Sequence, residues 1–204
     1  ILSLVLFAAC ATKPESDVDT PEYHYKAGMR AVENMDYQQA IKSFQRSVDL
    51  DSKFALGFGG LGLANAKLGN NKEAKKFAST CASKGSKDSD ALALSARIWI
   101  DMRESEKKWF NRAEGHLKKS LKRDKNHEGS QYWYGVAYLY SYKFNEAEDY
   151  FRVVVNKRGD YAGMADSKWK LSQKIVRAMP GTPVGKKVAL KEQISRADLA
   201  VLFS

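Results

Sequence analysis

The sequence predicts an all-α protein built from about four helical hairpins in a row and closed by a capping helix. Three observations carry that expectation. An alanine recurs at Ala40, Ala74, Ala113 and Ala147, with spacings of 34, 39 and 34 residues. Gly28 and Gly62 keep the same 34-residue period, and Gly135 precedes Ala147 by 12 residues as Gly28 precedes Ala40. Finally, the chain has no alternating strand pattern and only four prolines to interrupt helices. A fixed period of 20–50 residues is the mark of a repeat array. A length of 204 residues suits one elongated domain, or one domain and part of another. Hydrophobic residues at 44% and charged residues at 28% fit a folded chain and not a disordered one.

In chain order, the expected helices are 21–34 and 37–50, 54–68 and 71–84, 88–103 and 107–124, then 128–141 and 144–157. The hairpins so formed occupy 21–53, 54–87, 88–126 and 128–160. Turn signals separate the partners at Asn34-Met35-Asp36, Gly69-Asn70-Asn71 and Ser141-Tyr142-Lys143. Small residues at Gly28, Gly62, Ala96 and Gly135 let the two helices of a hairpin approach, and the recurring alanine does so from the other side. Phe44, Leu117 and Phe151 fill the space between hairpins; the second hairpin has Ala78 there, with Phe77 beside it. The 39-residue spacing adds five residues, expected around Arg103 to Phe110, which would lengthen one or both helices of the third hairpin. Residues 160–179 read as a ninth, amphipathic helix able to bury Met164, Trp169, Leu171, Ile175 and Val176, a cap over 161–179 that the last hairpin needs. Pro180-Gly181-Thr182-Pro183 ends it and marks a boundary, so 180–204 reads as a linker and the start of a further module.

The run Tyr37-Gln38-Gln39-Ala40-Ile41-Lys42-Ser43-Phe44, continuing to Ser52, resembles the second helix of a tetratricopeptide repeat, with its aromatic, alanine, aromatic and small positions. The resemblance covers 21–179 and implies a right-handed superhelix whose first helices line a concave groove. Carried over to that face are Tyr25, Met29 and Val32, then Gly59, Leu63, Ala66 and Lys67, then Tyr132, Val136, Leu139 and Tyr140. Relatives that clamp a C-terminal carboxylate use Lys and Asn where this chain has Tyr25 and Met29, so that mode is disfavoured. An apolar groove suits an amphipathic helix or an extended segment with hydrophobic anchors. The chain's own terminal helix, or a neighbouring subunit, is the competing occupant.

Ile1 to Ala9 is apolar apart from Ser3 and too short to span a bilayer, which takes roughly 20 residues. It reads as the tail of a signal peptide, in a sequence that starts without methionine. Leu6-Phe7-Ala8-Ala9-Cys10 resembles a bacterial lipobox, with Phe7 in place of the usual leucine. The resemblance implies a lipidated Cys10, a membrane reached through that lipid, and a location in the cell envelope. Ala11 after the cysteine favours an outer membrane, with the protein facing the periplasm. Residues 1–10 are then the signal remnant and 11–20 a polar tether. Beyond the boundary, Ile194-Ser195-Arg196-Ala197-Asp198-Leu199-Ala200 resembles the opening of an S-layer homology helix, which binds cell-wall polymer; a helix capped by Ser195 explains the same letters.

Catalytic chemistry is not legible. His24, His116 and His127 fall in different repeats without metal-ligand spacing, so no metal and no cofactor is expected. Gly57-Phe58-Gly59-Gly60-Leu61-Gly62 follows no strand and carries no Lys-Ser/Thr pair, so it reads as a helix thinned for close packing and not as a phosphate loop. Cys81 reads as a small buried group. Net charge is +10, and Arg103 to Lys125 holds nine basic residues against four acidic ones. Lys118, Lys119, Lys122 and Arg123 should face outward, as a solvated face or as a contact for anionic lipid or cell-wall polymer. Nucleic acid is a poor candidate for a chain exported by a lipobox. The sequence therefore predicts a lipid-anchored, non-enzymatic envelope scaffold that binds a protein or peptide partner. Its rivals are a cell-wall-binding protein using the repeats as a spacer, and an accessory subunit of an envelope enzyme.

Overall fold

Several helix starts have a local cause. Thr20 Oγ1 accepts the Tyr23 N–H at 3.1 Å, and Pro21, which has no N–H to satisfy, takes the first helical position. Asp36 caps the next helix by accepting from Gln39 N–H at 3.0 Å. Asp88 accepts from Asp90 N–H at 2.9 Å, and His127 Nδ1 accepts from Ser130 N–H at 3.1 Å. The computed structural model describes residues 13, 14, 16, 18–178 and 181–191. In it the helices are α1 (Pro21–Glu33), α2 (Tyr37–Leu50), α3 (Ala55–Lys67), α4 (Asn71–Lys84) and α5 (Ser89–Asp101). They continue as α6 (Trp109–Arg123), α7 (Glu128–Tyr140), α8 (Phe144–Lys157), α9 (Ala162–Ala178) and α10 (Pro183–Val188). The protein is all-α, with no strand among the described residues. Cys10 and the segment 194–200 lie outside the described residues.

The hairpin turns repeat as closely as the helices do. Met35, Gly69 and Tyr142 all have left-handed backbones, with φ of 61°, 77° and 62°. After each, an N–H reaches back to close the helix: Asp36 to Ala31 O at 2.9 Å, Asn70 to Asn65 O at 2.9 Å, Lys143 to Tyr138 O at 3.0 Å. This is the Schellman ending, which satisfies carbonyls that a helix terminus would otherwise leave open. The third hairpin lacks it. Its connection runs over 102–108, so four of the five extra residues lie in the loop and one extends α6. The expectation that one or both helices lengthen is met by α6 alone, with 15 residues; α5 has 13, like α1, α3 and α7.

Packing follows the small residues. A Cβ on Gly28 would lie 2.5 Å from the Phe44 ring, and one on Gly135 would lie 2.7 Å from the Phe151 ring. Both aromatic side chains are completely buried. The glycines of α3 split between two neighbours: Gly57 and Gly60 abut Val48 and Phe44 of α2, whereas Gly59 and Gly62 abut Leu94 and Ile98 of α5. A helix with partners on both sides needs this thinning. Where the second hairpin has only Ala78, Ile98 of α5 and Phe77 occupy the space beside Gly62, and Ser95 Oγ donates to the Ala78 carbonyl at 3.1 Å. Ser47, Ser120 and Cys81 recur with the period, fully buried. Each donates to a carbonyl near a first-helix start, at 2.8, 3.2 and 3.3 Å respectively. Burial pushes the Cys81 thiol up to about 11, so it stays protonated.

At the C-terminal end, α9 lies on α8 and buries Ala165, Ser172 and Ile175. Met164, expected in that interface, is instead 50% exposed, because the face that meets α8 is centred on Ala165. The expected linker is also different in its described part. Residues 183–188 form α10, which buries Val188, and Leu190 packs on the main core. No helix among the described residues is long and apolar enough to cross a membrane.

Candidate functional site

Consecutive first helices touch one another, α1 with α3, α3 with α5 and α5 with α7, while no comparable contact joins the second helices. The first helices are thus the inner layer. Sandwiched in it, α3, α5 and α7 are buried on most sides and show solvent only a narrow strip. Along that strip runs a recess of about 490 Å³. Tyr25 and Met29 of α1 and Leu56 of α3 form one side. Ala93, Leu94 and Arg97 of α5 form the floor, and Trp133 of α7 with Tyr161, just before α9, forms the other side.

Arg97 is the centre of this arrangement. Its guanidinium carbon stands 4.9 Å from the centroid of the Trp133 ring, a cation–π contact. Its Nε is buried without a hydrogen-bond partner among the described residues. Burial pushes the phenols of Tyr25 and Tyr161 up, and that of Tyr132 to about 12; the positive charge of Arg97 pulls each back part of the way. All three are therefore neutral, and all three feel this one cation. Lys26, Asp90 and Asp160 stand at the margins. Asp90 already has a partner: its carboxylate is 3.1 Å from His127 Nε2, and that hydrogen bond chiefly holds its pKa down. Since His127 Nδ1 accepts from Ser130, the proton on Nε2 is the one given to Asp90.

A second recess of about 320 Å³ lies at the C-terminal ends of α5 and α7, between Arg103, Trp109, Tyr140 and Tyr142. Lys187, Leu190 and Lys191 supply one of its walls, so the chain's own C-terminal segment covers part of this end. Arg103 lies over the Tyr140 ring at 3.9 Å.

The expected groove residues divide accordingly. Tyr25 and Met29 line the main recess, and Tyr140 the second one. Lys67 is exposed and pairs with Asp101 at 3.2 Å. Val32, Leu63, Tyr132, Val136 and Leu139 require correction: none is more than 6% exposed, and Leu63 and Leu139 are wholly buried. They belong to the main core, Tyr132 packing on Phe151 and Tyr161, and present no surface to a partner. Gly59 is likewise buried, under Leu94, and Ala66 is partly buried. Sequence reasoning missed Leu56, Ala93, Arg97, Trp133 and Tyr161. A signal for two of them was available. Ala96 matches Gly28, Gly62 and Gly135, and the register that selects Tyr25 and Met29 from Gly28 selects Ala93 and Arg97 from Ala96.

On the outer layer, Lys118, Lys119, Lys122 and Arg123 are all exposed, and Lys118 pairs with Glu114 at 3.0 Å. Among the described residues, no group of three His, Cys, Asp or Glu side chains is placed to hold a metal ion. His24 is bound to Asp19 at 2.6 Å, and Arg46 pairs with the same carboxylate. Burial, aided by Lys119 and Arg112, lowers the pKa of His116 to about 4. Among the described residues, neither histidine is aligned with a nucleophile. No protein-family model matches this chain, and a search of curated proteins returns no relative.

Proposed function

We propose that this protein is a non-enzymatic scaffold of tetratricopeptide type, coiled as a right-handed superhelix, that holds a segment of another protein in the recess along its first helices. The observation that carries the reading is the recess itself: aromatic and aliphatic side chains from four successive hairpins and the entry to α9, gathered around Arg97. Apolar walls with a few placed polar groups are the usual composition of a peptide-binding groove. The lipobox-like Leu6 to Cys10 supports attachment to a bacterial envelope membrane, which makes the partner an envelope protein. The exposed cations of α6 suit anionic headgroups or cell-wall polymer as a secondary contact.

The test is photo-crosslinking in native cells, with a benzoylphenylalanine probe at Met29 in the recess and a control probe at Lys119 on the outer face. A protein captured from Met29 and not from Lys119 is the expected result. Equal capture from both, or glycan in place of protein, refutes the reading. Cys10→Ser should release the protein from the membrane fraction, and retention there refutes the lipid anchor.

A further inference from the structure

Within the recess, one group lacks what its environment requires. Arg97 is partly buried, its Nε is enclosed, and among the described residues its guanidinium makes no hydrogen bond and no ion pair. Trp133 covers the guanidinium at 4.9 Å, a contact that supplies no acceptor for its N–H groups. The phenols around it are neutral, the carboxylate of Asp90 is held by His127, and Asp160, which with Lys26 stands at the margin, makes no ion pair with Arg97 among the described residues. The enclosed Nε–H without an acceptor costs free energy, and a planar guanidinium is matched best by a carboxylate taking two N–H bonds at once. Charge complementarity therefore calls for an anion of that shape.

The position of Arg97 says more. It sits on α5, with Tyr25, Met29 and Leu56 on one side and Trp133 and Tyr161 on the other. A chain end bound at Arg97 would fill one set of apolar walls and leave the other empty. A segment passing through would fill both. We propose that Arg97 anchors an internal aspartate or glutamate side chain of a partner segment, with hydrophobic residues before and after it seated on the two apolar walls. This inference rests on the scaffold reading above and narrows the partner it selects.

The probes are three pools of decapeptides with Ser-Gly ends and leucine or phenylalanine around a fixed central residue. One pool has glutamate at the centre and both termini capped; one has glutamine and both termini capped; one has glutamine and a free C-terminal carboxylate. Each is passed over the immobilised full chain. The capped glutamate pool should be retained at least about tenfold better than either glutamine pool. Arg97→Gln should abolish that preference and Arg97→Lys should keep part of it, with unchanged circular dichroism showing that both variants fold. Equal retention of the glutamate and glutamine pools overturns the inference while leaving the scaffold intact. So does a preference for the free carboxylate, which would mean a terminal ligand. Retention of no pool overturns the inference too; if Met29 also captures nothing, the scaffold reading falls with it. Self-association that excludes every peptide would make a second copy the occupant, and refutes the proposal.

Discussion

Replacing Gly60 by alanine separates the role of the glycines in α3 from their intrinsic cost. Alanine is favoured over glycine inside a helix by about 1 kcal/mol, so propensity alone predicts stabilisation. The surroundings predict the reverse. A Cβ on Gly60 would lie 2.3 Å from both Cδ1 and Cε1 of Phe44. Carbon atoms settle at about 3.5–4.0 Å, so the ring would have to move by more than about 1 Å. It has nowhere to go, being fully buried and held on another side by Gly28, where a Cβ would stand 2.5 Å away. Overpacking of this kind costs about 1–3 kcal/mol, and a ring gripped between two helices belongs at the upper end. After subtracting the propensity gain, Gly60→Ala should destabilise by about 1–2 kcal/mol, or roughly 2–8 °C in Tm for a chain of this size. The assay is urea and thermal unfolding followed by circular dichroism. Gly115→Ala is the control: it lies inside α6 with nothing within 4 Å, so it should stabilise by about 1 kcal/mol. In a Phe44→Leu background the penalty at Gly60 should shrink, because the smaller side chain leaves room for the new methyl. A higher midpoint for Gly60→Ala than for the parent would refute the close-packing argument.

Three further outcomes are expected. Met35 holds φ 61° with its side chain 75% exposed, so Met35→Gly relieves a left-handed backbone at no packing loss and should stabilise by about 1 kcal/mol in urea unfolding; a lower midpoint would contradict this. Leu63→Ala should cost about 2–4 kcal/mol, the range for a buried leucine, and a loss under about 0.5 kcal/mol would return Leu63 to the surface. His116 has its folded pKa lowered from 6.5 to about 4, so the folded state binds fewer protons than the unfolded chain between those values. Its contribution is fully present above pH 6.5, is lost as pH falls toward about 4, and changes no further below that. Discounted for partial exposure, the loss is on the order of 1–2 kcal/mol. The difference in stability between the parent and His116→Gln, measured across that range, should follow this course; a pH-independent difference would show that His116 titrates normally.

Comparison of particular elements shows why some features were legible in advance. The helix limits agree to within one or two residues because caps, turn residues and the alanine period are local signals. Asp36 and Asp88 announce their own helices. Exposure within a first helix is not local. Leu63 and Met29 occupy equivalent places in adjacent repeats, yet Met29 is on the outermost hairpin and lines the recess, while Leu63 is enclosed by α1 and α5. The repeat period predicts equivalence, and the position in the array breaks it. Tyr161 joined the recess only because the chain turns back after α8, where Glu128 Oε1 accepts the Tyr161 N–H at 3.1 Å.

The sequence by itself determined that the chain is helical, where nearly every helix begins and ends, and that the hairpins repeat. Those properties follow from capping, turn chemistry and side-chain volume, which act over a few residues. Tertiary structure decided which face of the inner layer meets solvent, that residues 181–191 return to the array, and that Arg97 lies among aromatic rings with its Nε enclosed and unpartnered among the described residues. Each depends on how far neighbouring helices approach, a distance set by residue pairs such as Gly59 with Leu94 that lie 35 positions apart in the chain. No local pattern encodes such a pair; only the packed array brings it together.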